Sequence, residues 1–111
     1  MAKARSVQIG NRLFGKVGDA SAFFSQMLGR YQVGEAVSAE DAMDLAHLLA
    51  RHSEAEEKIG SGISYFIVDR APDPYPGRCF WVVRKDGVPV DFAIKHCLLM
   101  HPMDGVAVEA S

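Results

Sequence analysis

The sequence predicts an α+β fold: a small antiparallel β-sheet with two main helices packed on one face, in the order β-α-α-β-β-β. Apolar residues recur with helical spacing over residues 19–52, and from Ile63 onward the period changes to two, as in strands. An Asp-Gly pair at 86–87 then separates two apolar runs, which is typical of a β-hairpin. We expect a single domain over residues 1–98 and a loosely ordered tail over 99–111.

The first elements expected are a short strand or small hairpin and then a helix. Residues 7–14 alternate like a strand and are interrupted by Gly10-Asn11. Asp19 can cap the helix, which Gly29 and Gly34 loosen and end. The apolar positions of this helix lie about one turn apart: Phe23, Phe24, Met27, Leu28 and Tyr31.

A second helix is indicated by its start signal. Ser38 with Asp41 three residues later resembles a capping box. The buried stripe expected for this helix is Ala42, Leu45, Leu48, Leu49 and His52. Ser53 with Glu56 gives a further start signal, so we expect one more helical turn that ends near Gly60.

The strands follow. From Ile63 to Asp69 the residues alternate, with Phe66 and Val68 on one face. Three prolines then make residues 70–77 a stiff, extended loop.

The last two strands, 78–85 and 88–95, should pair across a two-residue type I′ turn at Asp86-Gly87. This register groups Cys79, Trp81 and Val83 with Val90, Phe92 and Ile94 on one apolar face. Pro89 has no amide hydrogen, so its strand should be an edge strand or turn that position outward.

Composition excludes several classes of protein. Hydrophobic residues make up 49% and charged residues 23%, which is typical of a globular chain. No apolar run approaches the roughly 18 residues of a membrane helix, and no signal or transit peptide is recognised at the start. We therefore expect a cytoplasmic protein. Cys79 and Cys97 are too few for a disulfide framework, and the register places Cys79 opposite Ile94.

The net charge of −2 is unevenly distributed. Residues 1–34 hold five lysines and arginines against one acid, and residues 77–95 hold four against two. Residues 35–76 hold three bases against nine acids. This pattern is compatible with an anionic partner, although it lacks the strong basic excess of a general nucleic-acid binder.

The candidate contact residues lie on the predicted hairpin and in the loop before it. Arg78, Arg84 and Lys95 could contact phosphates, and Phe80 could stack on a base. In the alternative interpretation this is a solvated face on which Arg84 forms an ion pair with its diagonal neighbour Asp91. Tyr75, between two prolines, is either a rigid exposed contact or packs back on its own loop.

No catalytic or metal-binding pattern is recognised. The Gly-x-Gly of "KIGSGI", residues 58–63, lacks the rest of a phosphate-binding loop and is better explained as a helix end before a strand. The four histidines and two cysteines have no metal-ligand spacing. We expect no enzyme, no cofactor and no metal. On its apolar helix face, His52 should donate to a carbonyl or favour the helix dipole.

Four stretches resemble, in this order, the DCL-like domain family, named after a plant protein called "defective chloroplasts and leaves". They are "FFSQMLGRY", "VSAEDAMDLAHLLARH", "KIGSGISYFIV" and "RCFWVVRKDGVPVDFAIKHC". The resemblance covers roughly residues 13–98 and is that of a stand-alone, bacterial-type member. Ala93 stands where a serine is common in the family.

The resemblance implies a link to RNA, because plant relatives are associated with chloroplast ribosomal RNA maturation. It implies no catalytic residues. The leading hypothesis is a non-enzymatic RNA-associated module in ribosomal RNA maturation or ribosome assembly. The alternative is a protein-protein interaction adaptor that uses the acidic helical segment or the loop around Tyr75. With Arg84 and Asp91 matching the family motif, a contact role and a purely structural role both remain open.

Overall fold

The computed structural model describes residues 6–99, which form six strands and four helices. Their bounds in chain order are β1 (Val7–Ile9), β2 (Arg12–Phe14), α1 (Val17–Gly29), β3 (Glu35–Ala36), α2 (Ala39–Leu49), α3 (Ala55–Ile59), β4 (Ile63–Arg70), β5 (Arg78–Arg84), β6 (Pro89–Phe92) and α4 (Ile94–Leu99). The α+β class and the helical segments before the three long strands are confirmed. Of the helices described, none has the length and apolar character needed to cross a membrane.

The strands form two antiparallel sheets. β1 and β2 pair as a small hairpin, and the larger sheet has the order β3-β4-β5-β6. β6 is therefore an edge strand, as Pro89 predicted. The alternation expected in β4 is also present, because Phe66 and Val68 are buried whereas Tyr65 is exposed.

The core lies between the larger sheet and the helices on one of its faces. α1, α2 and α4 contribute apolar side chains to it, and the β1–β2 hairpin adds two more. Its members on the sheet are Phe66, Val68, Phe80, Val82 and Phe92. An ion pair ties the small hairpin to α2, since Arg12 Nε lies 2.8 Å from Asp44 Oδ1.

The helix starts agree with expectation in α2 and differ in α1. In α2 the Ser38 hydroxyl accepts a hydrogen bond from the Asp41 amide at 3.1 Å, as a capping box requires. The prediction that Asp19 caps α1 is wrong: the N-cap is Lys16, and Asp19 lies within the first turn. There its carboxylate still favours the helix dipole.

The predicted hairpin register is wrong by one residue. Phe80 pairs with Phe92, Trp81 with Asp91 and Val82 with Val90. Because side chains alternate between the two faces, this shift turns Phe80 and Val82 toward the core and Trp81 toward the other face of the sheet. Trp81 is half-buried there, and its indole nitrogen donates to the Arg70 carbonyl at 3.2 Å.

The turn explains the shift. The Gly87 amide donates to the Arg84 carbonyl at 2.8 Å, and the Arg84 amide donates to the Val88 carbonyl at 3.1 Å. Gly87 has φ +86°, whereas Asp86 does not have a positive φ. A type I′ turn needs positive φ at both central residues, so Asp86-Gly87 cannot form one. Residues 85–87 instead form a three-residue loop with glycine in the left-handed position.

The end of the hairpin also differs from expectation. The strand predicted over 88–95 stops at Phe92, and α4 begins at Ile94. β3 was not predicted, because its two residues are too few to show the alternation of a strand. Of the tail predicted over 99–111, Leu99 ends α4, and the rest lies outside the described residues.

Candidate functional site

Arg84 forms hydrogen bonds that connect the hairpin turn to α3. Its Nη2 lies 3.0 Å from Asp86 Oδ2 and its Nε 3.2 Å from Asp86 Oδ1. Its Nη1 donates to the Glu57 carbonyl at 3.3 Å. The predicted ion pair with Asp91 is therefore wrong, since the register separates the two residues. The Arg84 guanidinium lowers the pKa of Asp86 through this hydrogen-bonded pair.

The segment from Lys58 to Gly62 packs against this turn. The Lys85 amide donates to the Gly62 carbonyl at 2.9 Å, and the Asp86 amide donates to Ser61 Oγ at 3.1 Å. Gly60 has φ +53°, and a Cβ there would lie 3.0 Å from Arg84 Cδ. The "KIGSGI" segment and the hairpin turn, which both belong to stretches that carry the family resemblance, thus form one structural unit. The helix end and strand start expected in "KIGSGI" are both found.

Phe80 is unavailable for stacking on a base. It is 1% exposed, and its ring stacks on Phe92 with centroids 6.1 Å apart. The predicted contact role of Phe80 followed from the wrong register and is wrong, because Phe80 is a core residue.

Tyr75 projects from the loop between β4 and β5. The loop is closed at its base by the Ala71 amide, which donates to the Gly77 carbonyl at 2.9 Å. Within it the Tyr75 amide donates to the Pro72 carbonyl at 2.9 Å. The Tyr75 side chain is 68% exposed, so of the two interpretations the exposed one agrees with the structure.

Arg78 and Lys95 lie together at the opposite end of β5 from Arg84. Both line a groove of about 260 Å³ beside the end of α1. Arg78 Nη1 donates to the Tyr31 carbonyl at 2.7 Å, just past that helix end. Arg70 lies directly opposite Arg78 on β4. We call Arg70, Arg78 and Lys95 the basic end of the sheet.

A pocket of about 420 Å³ adjoins the basic end, since Arg78 and Cys79 line both cavities. The exposed residue Tyr75 lines it, and Pro72, Pro76 and Phe92 are among its apolar walls. Its remaining polar lining comes from several elements: His52, Lys58, Cys79, Asp91 and His96. We call this cavity the histidine pocket.

Two histidines, His52 in the turn between α2 and α3 and His96 on α4, line the histidine pocket side by side. The His52 and His96 rings are stacked with centroids 3.8 Å apart. His52 is only 8% exposed, and its Nδ1 accepts a hydrogen bond from the Glu54 amide at 2.9 Å. Because Nδ1 accepts this hydrogen bond, it does not make the predicted donation from His52 to a carbonyl. Burial lowers the pKa of His52, and the charges of His96 and Lys58 act in the same direction.

The remaining polar residues of the histidine pocket differ in what they can contribute. Lys58 Nζ donates to the Asp91 carbonyl at 2.7 Å. The Asp91 carboxylate makes no hydrogen bond or ion pair with residues 6–99 and is free to accept one. Burial raises the pKa of Cys79 to about 11, so its thiol stays protonated at neutral pH and is a poor nucleophile. Both cysteines are free thiols.

The structure therefore brings together three of the five predicted contact residues, Tyr75, Arg78 and Lys95. It separates Arg84 from them and buries Phe80. Sequence reasoning missed Arg70 and Lys58 as neighbours of this group. Neither carried a local signal, because each reaches the site only through sheet pairing or helix packing.

These features define a class of protein: a small α+β fold with a basic sheet end beside a mixed polar and apolar pocket. The chain belongs to the DCL-like family, since the family model described as "Protein of unknown function (DUF3223)" matches residues 25–98.

Curated plant proteins share part of this chain. It is 39% identical over 71 residues to "Protein DCL, chloroplastic" of Solanum lycopersicum, which covers 63% of this chain and 32% of that protein. It is 35% identical over 69 residues to "DNA-directed RNA polymerase V subunit 1" of Arabidopsis thaliana, covering 61% of this chain and 4% of the subunit. The matched region thus spans about a third of the tomato protein's length.

A solved structure is similar over nearly its whole length. The solution NMR structure of an uncharacterized protein from Rhodospirillum rubrum matches with a TM-score of 0.79 and 40% identity. The match covers 91% of this chain and 95% of that one. It supports both the fold and the family.

Proposed function

We propose that this chain is a non-enzymatic RNA-associated module that acts in ribosomal RNA maturation or ribosome assembly and contacts RNA through its basic end. The observation that carries the proposal is the pairing of Arg70 with Arg78 across β4 and β5. Like charges directly opposite on neighbouring strands repel each other. A bound phosphate would relieve that repulsion, and guanidinium groups suit phosphate geometry.

The other members of the surface fit the same partner. The Arg70 guanidinium makes no hydrogen bond or ion pair with residues 6–99, so it is available to a ligand. Lys95 is exposed on α4, in the groove it shares with Arg78. Tyr75 adds an exposed aromatic ring, which is the usual platform for an unpaired base. A relative that is named as an RNA polymerase subunit adds support from the family side.

Titration of structured RNA at about 50 mM salt tests the contact surface. We expect affinity that falls as salt rises, because phosphate contacts release counterions. Arg70→Ala and Lys95→Ala should each weaken binding and reduce the salt slope by about 0.7–1. Lys85→Ala is the matched control: it removes an exposed positive charge at the other end of β5 and should leave binding unchanged. Wild-type protein that binds no RNA at low salt would contradict the proposal.

Purification from the native cell tests the biological role. The protein is captured with and without nuclease, and the recovered RNA is sequenced. We expect enrichment of precursor ribosomal RNA with wild type and its loss with Arg70→Ala. Recovery of RNA without that enrichment would contradict the ribosomal part of the proposal.

A protein-interaction adaptor is the second candidate, favoured by the exposed rings of Tyr75 and Tyr65. It predicts a protein partner that co-purifies after nuclease treatment and is lost with Tyr75→Ala or Tyr65→Ala. RNA capture that depends on the basic end would contradict it.

A further inference from the structure

We propose that the histidine pocket binds one unpaired nucleotide of RNA, with the base inside the pocket and its phosphate on Arg78. The inference rests on the proposed function and deepens it, because it names the unit of RNA that is recognised and a pocket beyond the basic end. The unit is a nucleobase attached to a phosphate, rather than a phosphate alone.

The size and walls of the pocket suit a flat ring. Its volume of about 420 Å³ lies within the usual range for small-ligand sites. Pro72, Pro76 and Phe92 give it apolar walls, and Tyr75, which also lines it, has an exposed ring that can stack on a base. Phosphate alone would leave these apolar walls without a partner.

The polar groups of the pocket offer both donors and an acceptor. Lys58 carries an ammonium group, of which one hydrogen is used by the Asp91 carbonyl. With Nδ1 of His52 accepting from the Glu54 amide, the neutral ring carries its proton on Nε2. That Nε2 has no hydrogen-bond partner within residues 6–99, although the side chain is only 8% exposed. The Asp91 carboxylate is an acceptor. Every nucleobase presents donors and acceptors on its pairing edge, so this set matches a base.

The position of Arg78 connects the pocket to the proposed RNA surface. Its side chain lines both the histidine pocket and the groove that holds Lys95. A nucleotide with its base in the pocket would therefore place its phosphate at the basic end. The neighbouring phosphates of the strand would continue toward Arg70 and Lys95.

NMR titration of the isotope-labelled chain tests the inference with three probes: cytidine or adenosine 5′-monophosphate, ribose 5-phosphate, and a short single-stranded RNA. We expect the nucleotides and the RNA to shift the signals of Asp91 and of the His52 and His96 rings, which line the pocket but not the groove that holds Lys95. Ribose 5-phosphate should shift only the signals around Arg78. Shifts at His52 and Asp91 that are the same with ribose 5-phosphate would overturn the assignment of a base to the pocket.

Three variants test the pocket separately from the basic end. Ala71→Leu adds volume to a residue that lines the pocket, and it should weaken RNA and mononucleotide binding about fivefold or more, the value of one lost base stack. Ala22→Leu makes the same change at an exposed position of α1 and should leave both affinities unchanged. Asp91→Asn keeps the side-chain size and should change the ratio of the affinities for cytidine and adenosine 5′-monophosphate.

The outcomes for the two proposals differ. RNA that binds wild type and Ala71→Leu equally, without shifts at His52, would overturn the pocket inference and leave the basic end standing. Mononucleotides that bind in the pocket while RNA does not bind would overturn the proposed function and reassign the pocket to free nucleotides.

Discussion

The Arg84 guanidinium donates hydrogen bonds to the Asp86 carboxylate, two residues away, and not to Asp91 across the hairpin. The guanidinium spans both carboxylate oxygens, at 3.0 and 3.2 Å, and its third nitrogen reaches the Glu57 carbonyl. The side chain therefore joins the hairpin turn to the end of α3. This geometry assigns Arg84 to the fold and distinguishes it from the arginines of the basic end.

Arg84→Ala should lower stability and leave RNA binding by the folded protein unchanged. The hydrogen bond to the Glu57 carbonyl alone is worth about 0.5–1.5 kcal/mol, the usual net value of one such bond. Chemical denaturation gives the stability, and the low-salt RNA titration gives the affinity. Loss of affinity at full stability would instead make Arg84 a contact residue.

Gly60→Ala should destabilise the fold by about 1–3 kcal/mol. The residue has φ +53°, and the added Cβ would lie 3.0 Å from Arg84 Cδ and Nη1. Gly18→Ala is the matched control, because Gly18 lies in α1 with open space around it. That change should stabilise the helix by about 0.5–1 kcal/mol. Equal melting temperatures for the two variants would contradict the conformation of the 58–62 segment.

Phe80→Ala should cost about 3–5 kcal/mol, the usual loss for truncating a buried phenylalanine. Trp81→Ala should cost less, since Trp81 is half-buried on the opposite face of the sheet. Because Phe80→Ala could unfold the protein, Phe80→Leu provides a milder comparison, and urea denaturation measures all three. A larger loss from Trp81→Ala would support the two-residue turn predicted from the sequence.

Stability should fall as the pH drops below about 6.5, because of His52. Its pKa in the folded chain is lowered by burial, then by the charges of His96 and Lys58, against the opposing carboxylates of Glu54 and Asp91. Below about pH 6.5 the unfolded chain takes up a proton that the folded chain resists. The stabilising contribution is therefore present above that pH and is lost as the pH falls toward the folded-state value.

Melting curves at pH 5 and pH 7.5 measure this effect. His52→Asn keeps an acceptor for the Glu54 amide and removes the titrating ring, so its stability should change less between the two pH values. His47→Asn, at an exposed histidine of α2, should behave like wild type. A pH dependence that is unchanged in His52→Asn would contradict the assignment.

The helices were predictable because each buries one stripe of a clear period. Their residues, such as Phe24 in α1 and Leu45 in α2, are fully buried as expected. The hairpin register was not predictable in the same way. β5 carries apolar residues on both faces, with Phe80 and Val82 on one and Trp81 on the other. The alternation of side chains therefore does not show which face of β5 is buried, and the register depends on the geometry of the turn.

The candidate site shows a similar limit. Tyr75 and Arg78 were found from local composition, since a tyrosine between prolines and a charged strand end are visible in the sequence. The His52–His96 contact joins the turn between α2 and α3 to α4, whose first two residues fall in the strand predicted over 88–95. Its prediction required the correct hairpin register, because β6 has to end at Phe92 for α4 to form.

The free edge of β6 affects whether two copies of the chain can associate through their sheets. An open strand edge normally invites a second chain to add a strand. Here Pro89 has no amide hydrogen to donate, and Lys58 Nζ already occupies the Asp91 carbonyl. An incoming strand would also meet the ammonium charge of Lys58. Lys58, which reaches this edge from α3, therefore protects the chain from edge-to-edge aggregation.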